Sequence, residues 1–337
     1  MVIPESFPAF IATKSTVDGA ATVERGISTL QASDLPPGEV TVRVEWSGVN
    51  YKDALATLAD GGVARISPLV AGVDLAGVVV AVDGPSPVSV GDKVIAHGYD
   101  IGVARHGGYA SYARVLGTQV VALPPGLTTK DAMTIGTGGF TAAESILALE
   151  QRGLTPAAGD VLVTGATGGV GSMAISMLAG SGYRVVASTG KAHEHEFLRN
   201  LGAAEILDRS ETSAAGRPMD KERWAGVIDC VGGTTLAYAL RTTRYGGAVA
   251  ASGLTGGAGL STTVLPFILR GVSLLGIDSV QLAIEQRLAV WDRCATDLKP
   301  SDFASLSVDI GLEQLDGALT AIRAGLARGR FTVRVAD

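Results

Sequence analysis

The stretch VLVTGATGGVG, residues 161–171, constrains the fold of this chain more than any other. An apolar run, Val161 to Thr164, stops at Gly165. Gly168, Gly169 and Gly171 follow, before a helix-like segment that begins near Ser172. Such a turn makes three separate steric demands that glycine meets: a sharp turn, close approach of backbone to a pyrophosphate, and close packing of helix on strand. The helix start that follows offers unpaired N–H groups and the positive end of a helix dipole to phosphates. The turn leaves one strand, opens a helix and precedes a second strand about 20 residues on, which is the setting a dinucleotide-binding turn requires.

The surrounding segments alternate in the same way. VLVTGA, RVVAST, AEILD, WAGVIDCVG, GAVAASG and SLLGIDS read as apolar strands separated by helix-like segments, the pattern of a doubly wound parallel sheet. Before about residue 130 the texture differs. VTVRVEWSGV and AGVVVAV alternate with the turn signals DLPPGE, VDGPSP and SVGDKV, a strand-rich region. Near residue 300 that texture returns in LSVDIG and RFTVRVAD, on either side of a helix-like QLDGALTAIRAGLA. A chain of 337 residues exceeds one ordinary core. We therefore expect residues 130–301 to form a nucleotide-binding domain inserted into a β-rich domain made of 1–129 and 302–337.

The end of the second strand selects the nucleotide. An acid there would bind both ribose hydroxyls and repel a 2′-phosphate. The chain instead reads Ser188-Thr189-Gly190-Lys191, small donors and a cation, and Arg209 at the end of the third strand closes the same position from the other side. This argues for NADPH over NADH; as solvated surface cations, Lys191 and Arg209 would carry no such meaning.

Other function classes are disfavoured. A net charge of −6 gives nucleic acid no basic face. No apolar run reaches the ~20 residues that span a bilayer, and the N-terminus lacks a secretory layout. Two cysteines, Cys230 and Cys294, exclude a disulfide framework and a cysteine-based structural zinc site, and they fit a reduced cytoplasm. In KAHEHE, His193 and His195 are two apart and point to different helix faces, so a solvated helix start is the better reading than a metal site. His97 and His106 read as loop residues, and Cys230 as a small apolar residue rather than a reactive thiol.

The whole chain resembles the medium-chain dehydrogenase/reductase superfamily, whose members pair a GroES-like β domain with a Rossmann domain in this discontinuous order. Zinc-dependent members carry a Cys ligand and a His-Glu pair in stretches that here read GVNYKDALA and AGVDLAGVV. Asn50 and Tyr51 lie in the region of the cysteine, and Val73-Asp74 replace His-Glu, so the resemblance is to the zinc-free branch. NYKDALA, AGVDLAG, TGATGGVGS, WAGVIDCVGG and above all VLPFILRGVSLLGIDSV resemble the acrylyl-CoA reductase group, which is quinone oxidoreductase-like. One departure is His106, where a Trp is expected before Gly107-Gly108. That loop lies near the substrate entrance in the family.

The resemblance implies NADPH-dependent reduction of the 2,3-double bond of a short enoyl-CoA thioester, acrylyl-CoA to propanoyl-CoA, with hydride going to the β-carbon. It places Tyr51 beside the nicotinamide as a ring contact, a donor to the substrate oxygen or a proton relay. Asn50 either donates through its amide or caps the helix that NYKDALA begins, and Lys52 and Asp53 are as readily structural as catalytic. Thr167, Gly168, Gly169 and Val170 match the pyrophosphate turn, and Leu254, Ile268 and Ser279 match positions on the nicotinamide side. Ser279 is read as ending the strand SLLGIDS, whose exposed edge the resemblance pairs with a second copy in a homodimer. Arg105, Arg270, Arg323, Arg328 and Arg330 are available to CoA phosphates, with no clamp assigned. NADPH:quinone reduction, and NADPH binding without turnover, stand as alternatives.

Overall fold

The computed structural model describes residues 3–335; Ala336 and Asp337, at the end of RFTVRVAD, lie outside the described residues. The chain divides into two compact units. One comprises the chain up to Thr137, Val280–Leu288 and the chain from Phe303; the other comprises Gly138–Ser279 and Ala289–Asp302.

In the first unit, β1 (Ser6–Val17), β2 (Ala20–Gln31) and β4 (Leu69–Val70) form a three-stranded sheet in the order β2-β1-β4, and β3 (Val40–Gly48) is followed by the short helix α1 (Tyr51–Ala56). The larger sheet has the order β15-β16-β3-β5-β6-β8, with β7 pairing on β3. Its strands are β3, β5 (Asp74–Val82), β6 (Lys93–His97), β7 (Tyr112–Val115), β8 (Val120–Ala122), β15 (Ser307–Gly311) and β16 (Arg330–Arg334). The alternating valines of β3 are fully buried at Val40, Val42 and Val44, as expected of a strand with one core face. β16 pairs antiparallel with β3, so the C-terminal strand joins the N-terminal sheet. Between β15 and β16 runs α10 (Leu315–Arg323), and the short α9 (Phe303–Leu306) precedes β15.

The second unit holds a six-stranded parallel sheet in the order β11-β10-β9-β12-β13-β14, with strands β9 (Val161–Val163), β10 (Val185–Thr189), β11 (Ala203–Asp208), β12 (Trp224–Asp229), β13 (Thr243–Ala251) and β14 (Ser273–Gly276). In chain order this is 3-2-1-4-5-6, the Rossmann arrangement, and the strand order reverses between β9 and β12. The connecting helices are α3 (Gly169–Gly180), α4 (His195–Asn200), α5 (Arg209–Ser213), α6 (Gly233–Thr242) and α7 (Leu265–Arg270). α2 (Thr129–Gln151) precedes β9 and α8 (Ile284–Ala295) follows β14.

Three local expectations are corrected. α3 begins at Gly169, not near Ser172, because the glycine turn itself runs into the first helical turn. β14 stops at Gly276, so Ser279 lies three residues beyond the strand it was expected to end. His97 is the last residue of β6, paired opposite Asp74, and not a loop residue. Residues 280–288 cluster with the first unit. Tyr99 N and Oη donate to the carbonyls of Val280 and Leu282, at 3.0 and 3.1 Å, and Arg287 donates to those of His97 and Val280.

Candidate functional site

In the Rossmann unit the glycine turn sits where the strand order reverses, at the carboxyl end of β9, the position at which such sheets bind ligands. Gly165 takes φ 59°, and a Cβ on Gly171 would stand 2.5 Å from Gly165 O and 2.8 Å from the Ala166 Cα. Side chains are excluded there by backbone alone. Gly168 is the N-cap of α3, with no side chain to satisfy the first-turn N–H groups, which leaves them to a ligand. Asp229 keeps the neighbouring loop in place: its buried carboxylate accepts from Thr164 Oγ1 and from Gly232 N, both at 2.7 Å. Cys230 beside it has its thiol pushed up to about 12, first by burial and then by the charge of Asp229, so it stays protonated.

The residues expected to select the 2′-phosphate come together in part. The guanidinium of Arg209 lies against Gly190, close enough that a Cβ on Gly190 would be 2.8 Å from its Nη2. Lys191 follows directly, half-buried; burial lowers its ammonium pKa and Glu194 raises it. Thr189 Oγ1 accepts from Lys191 N at 3.1 Å and shapes this turn. The Ser188 hydroxyl is buried and bonded to Thr212 Oγ1 at 2.7 Å, so it points into the unit. Thr167 is buried while Gly168 is exposed. Leu254 and Ile268 are 65% and 68% exposed, and Ser279 is buried, accepting from Thr141 Oγ1 at 2.9 Å. The residues of this unit fit a dinucleotide: a cradle too tight for a Cβ, a bare helix start and two cations at the second strand's end.

In the other unit Asn50 and Tyr51 open α1. Tyr51 is 41% exposed. Asn50 is held at both ends of its amide: Oδ1 accepts from Arg330 Nη1 at 2.8 Å, and Nδ2 donates to Asp74 Oδ2 at 2.8 Å. It is a side chain fixed in orientation, with one Nδ2 hydrogen beyond the bond to Asp74. Behind it lies a buried ion pair, Arg330 Nη2 to Asp74 Oδ2 at 3.3 Å, with side chains 2% and 0% exposed. Arg330 also donates to the carbonyls of Thr134 and Val49, both at 3.2 Å.

Two glycines make room for this pair. A Cβ on Gly48 would stand 2.9 Å from Arg330 Nη2, and one on Gly136 would stand 2.2 Å from it and 2.5 Å from Asp74 Oδ2. Gly136 has φ 48° and breaks α2. The break turns Thr137 onto Asp74, with its N 3.0 Å from Oδ2 and its hydroxyl on Oδ1. His97 lies beyond Thr137, and Arg287 donates to its ring. Burial, and then Arg287, hold that imidazole well below its usual range, so it is neutral.

Sequence reasoning placed Asn50 and Tyr51 in this region but missed the roles of Asp74, Thr137 and Arg330. A glycine inside an otherwise helical segment, DAMTIGTGG, was the signal that a break was needed there. Arg330, Arg270 and Arg105, considered for CoA, all bond within the protein: Arg270 to the carbonyls of Asp220 and Arg241, Arg105 to that of Pro37. His106 accepts from Val70 N through Nδ1 at 3.1 Å, which places its ring proton on Nε2.

Comparison with known proteins agrees with both units. Residues 36–125 match the alcohol dehydrogenase GroES-like domain, and 169–295 the zinc-binding dehydrogenase family. The acrylyl-CoA reductase AcuI of Ruegeria pomeroyi is 45% identical over 330 residues, covering 98% of this chain and 99% of that protein. YhfP of Bacillus subtilis, assigned by name and provisionally to the quinone oxidoreductases, is 48% identical over 311 residues, or 92% of this chain and 94% of that protein. Its crystal structure with NAD bound superposes with a TM-score of 0.95 at 46% identity, covering 98% of this chain and all of that one. The yhdH oxidoreductase of Salmonella enterica in complex with NADP superposes at 0.93 and 43%, with the same coverage.

The family's name implies zinc, and the residues at the corresponding position do not fit it. Asn50 and Asp74 are the oxygen donors there, and the Arg330 guanidinium already engages both, so a metal would meet a fixed cation. Among the described residues no group of three His, Cys, Asp or Glu side chains is arranged to hold a metal ion. The chain belongs to the medium-chain dehydrogenase/reductase superfamily of nicotinamide-dependent oxidoreductases, in the group that holds acrylyl-CoA reductases and quinone oxidoreductase-like proteins.

Proposed function

We propose that the protein reduces the 2,3-double bond of a short enoyl-CoA, acrylyl-CoA to propanoyl-CoA, with NADPH as the reductant. The observation that carries the substrate reading is the similarity to AcuI across the whole of both chains. The cofactor reading is supported by Lys191 and Arg209 at the ends of β10 and β11, where an acid would favour NADH.

Bound NADPH supplies the hydride that the β-carbon accepts. The protein's part is to hold the acceptor, stabilise the charge that develops on the thioester oxygen, and provide a proton to the α-carbon. Thr167, Gly168, Gly169 and Val170 hold the pyrophosphate; Thr189, Gly190, Lys191 and Arg209, with Ser188 behind them, hold the 2′-phosphate end. Leu254, Ile268 and Ser279 serve the nicotinamide end. Tyr51 donates its hydroxyl to the substrate oxygen, and the second Nδ2 hydrogen of Asn50 is aimed by Arg330 and Asp74. Donors fixed before the reaction starts are worth most, because nothing reorganises as charge appears.

NADPH consumption followed by absorbance with acrylyl-CoA, and with NADH in parallel, tests the whole reading. Saturable turnover with NADPH is expected; tight NADPH binding with no turnover refutes the substrate. Replacing Tyr51 by Phe should lower kcat about 100-fold, the usual loss for one oxyanion donor, with the NADPH Kd unchanged. An unchanged kcat removes Tyr51 from that role. A second reading, NADPH:quinone reduction, is supported by the name of YhfP, and it predicts faster saturable turnover with a quinone than with acrylyl-CoA.

The protein acts as a homodimer through β14, the edge strand of the parallel sheet, where Leu274 is exposed. A sedimentation mass of one 34.2 kDa chain would refute this.

A further inference from the structure

Asp74 opens β5 and His97 closes β6, and the two are register partners, so their side chains leave the same face of the sheet. Both are fully buried. Thr137 spans them: its hydroxyl donates to Asp74 Oδ1, and its Oγ1 lies 3.4 Å from His97 Nδ1. The two oxygens of Asp74 are held unequally. Oδ2 accepts from Asn50 Nδ2 at 2.8 Å, Thr137 N at 3.0 Å and Arg330 Nη2 at 3.3 Å. Among the described residues, Oδ1 accepts from the Thr137 hydroxyl alone.

We propose that Thr137 is a positioning residue for the reaction: its hydroxyl fixes the plane of the Asp74 carboxylate, and that carboxylate fixes the direction of the second Nδ2 hydrogen of Asn50. The last torsion of an aspartate is broad, so donors on one oxygen leave the group free to pivot about that oxygen. A donor on the other oxygen stops the pivot. The Asn50 amide then has one orientation, with Oδ1 on Arg330 Nη1 at 2.8 Å and Nδ2 on Asp74. The backbone is arranged for this contact. In an unbroken helix the Thr137 N–H would point back to the carbonyl of Met133. The break at Gly136 turns it, together with the hydroxyl, onto the one carboxylate.

His97 sets which way the Thr137 hydroxyl faces. A hydroxyl has one proton, and this one goes to Asp74, so Oγ1 is an acceptor toward His97. The neutral imidazole therefore carries its proton on Nδ1. Arg287 Nη1, 2.9 Å from Nε2 and 3.0 Å from Nδ1, donates to Nε2, the nitrogen left as acceptor. The bonds run in one direction, from Arg287 through His97 and Thr137 to Asp74. With the proton on Nε2 instead, Nδ1 and Oγ1 would meet as two acceptors, and the hydroxyl would turn away from Asp74. All of these residues belong to the first unit.

The inference rests on the reading that Asn50 serves the reaction. Its test is a double-mutant cycle in kcat at saturating NADPH, with acrylyl-CoA or, should that not turn over, a benzoquinone as acceptor. Thr137→Val removes the hydroxyl and keeps the volume and the backbone N–H. It should lower kcat about tenfold, part of the 100-fold or so that one oxyanion donor contributes. The acceptor KM and the NADPH Kd should stay within about twofold, because an aimed donor acts on charge that appears only in the transition state. Thr137→Ser keeps the hydroxyl and should recover most of the loss. Asn50→Ala should lower kcat at least as far, and Thr137→Val added to it should lower kcat no further. Asn50→Ala at the wild-type kcat refutes the reading of Asn50 and this inference with it. A slow Asn50→Ala beside a full-rate Thr137→Val, or losses that multiply in the double variant, overturns this inference alone. So does a Thr137→Ser variant as slow as Thr137→Val. Should Thr137→Val not fold, nitrogen-15 spectra of the wild-type imidazoles carry the test: His97 should be the neutral tautomer protonated at Nδ1. A His97 protonated at Nε2 overturns the direction of the chain, and with it the role of Thr137.

Discussion

Replacing Arg330 by Met is expected to cost about 3–5 kcal/mol of stability and to abolish turnover. The methionine fills much of the volume but leaves Asp74 charged in a place with no water. Three donors to that carboxylate, Asn50 Nδ2 and the backbone N–H and hydroxyl of Thr137, would remain, and none carries a charge. The same change removes the partner of Asn50 Oδ1 and frees the carbonyls of Thr134 and Val49. The two carbonyls are buried acceptors, and each unmade bond there costs about 1–3 kcal/mol. The check is the urea midpoint at unchanged slope. The paired variant Arg330→Met with Asp74→Asn removes the orphaned charge, so it should recover a large part of the loss. A single variant within about 1 kcal/mol of wild type would mean that the ion pair is not what holds this cluster together.

Replacing both Lys191 and Arg209 by Ala should weaken NADPH about 100-fold and leave NADH within about twofold. A charge-assisted bond to phosphate at a partly solvated position contributes about 1.5 kcal/mol, or about tenfold in Kd, and two cations contribute twice that. Their charges are screened by salt, so the preference for NADPH in the unsubstituted protein should shrink as ionic strength rises. Fluorescence titration with both nucleotides reads the difference directly. Equal weakening of NADPH and NADH would show that these cations support the turn without meeting the 2′-phosphate. The point is open to experiment because one relative, 46% identical, was crystallised with NAD and another, 43% identical, with NADP.

The parts of this protein that could be read from the chain are those whose physical demand is local. A pyrophosphate turn needs glycines at set spacings after a strand, so VLVTGATGGVG announced its place and its ligand class. Parallel strands buried on both faces are continuous apolar runs, so the six strands of the Rossmann sheet were visible one by one. Asn50 at the head of NYKDALA was readable as a helix start for the same reason. Element ends were less legible. SLLGIDS stays apolar past Gly276, although pairing with β13 ends there, and glycine is so poor a helix former that α3 seemed to begin after Gly171.

The ion pair at the head of α1 was not legible at all, because its members are far apart in the chain. Arg330 and Asp74 are separated by 256 positions, and Thr137 and Asp74 by 63. No local pattern distinguishes an arginine that will be buried against a carboxylate from one destined for solvent. Arg330 was therefore read among five interchangeable basic residues, and His97 as a loop residue. Burial turns such groups from solvated charges into fixed ones, and burial belongs to the fold as a whole. The amino-acid order by itself determined the nucleotide class, the layering of the Rossmann unit and the kinship of the chain. Only the tertiary structure decided which charges lose their water, and hence how Asn50 is aimed.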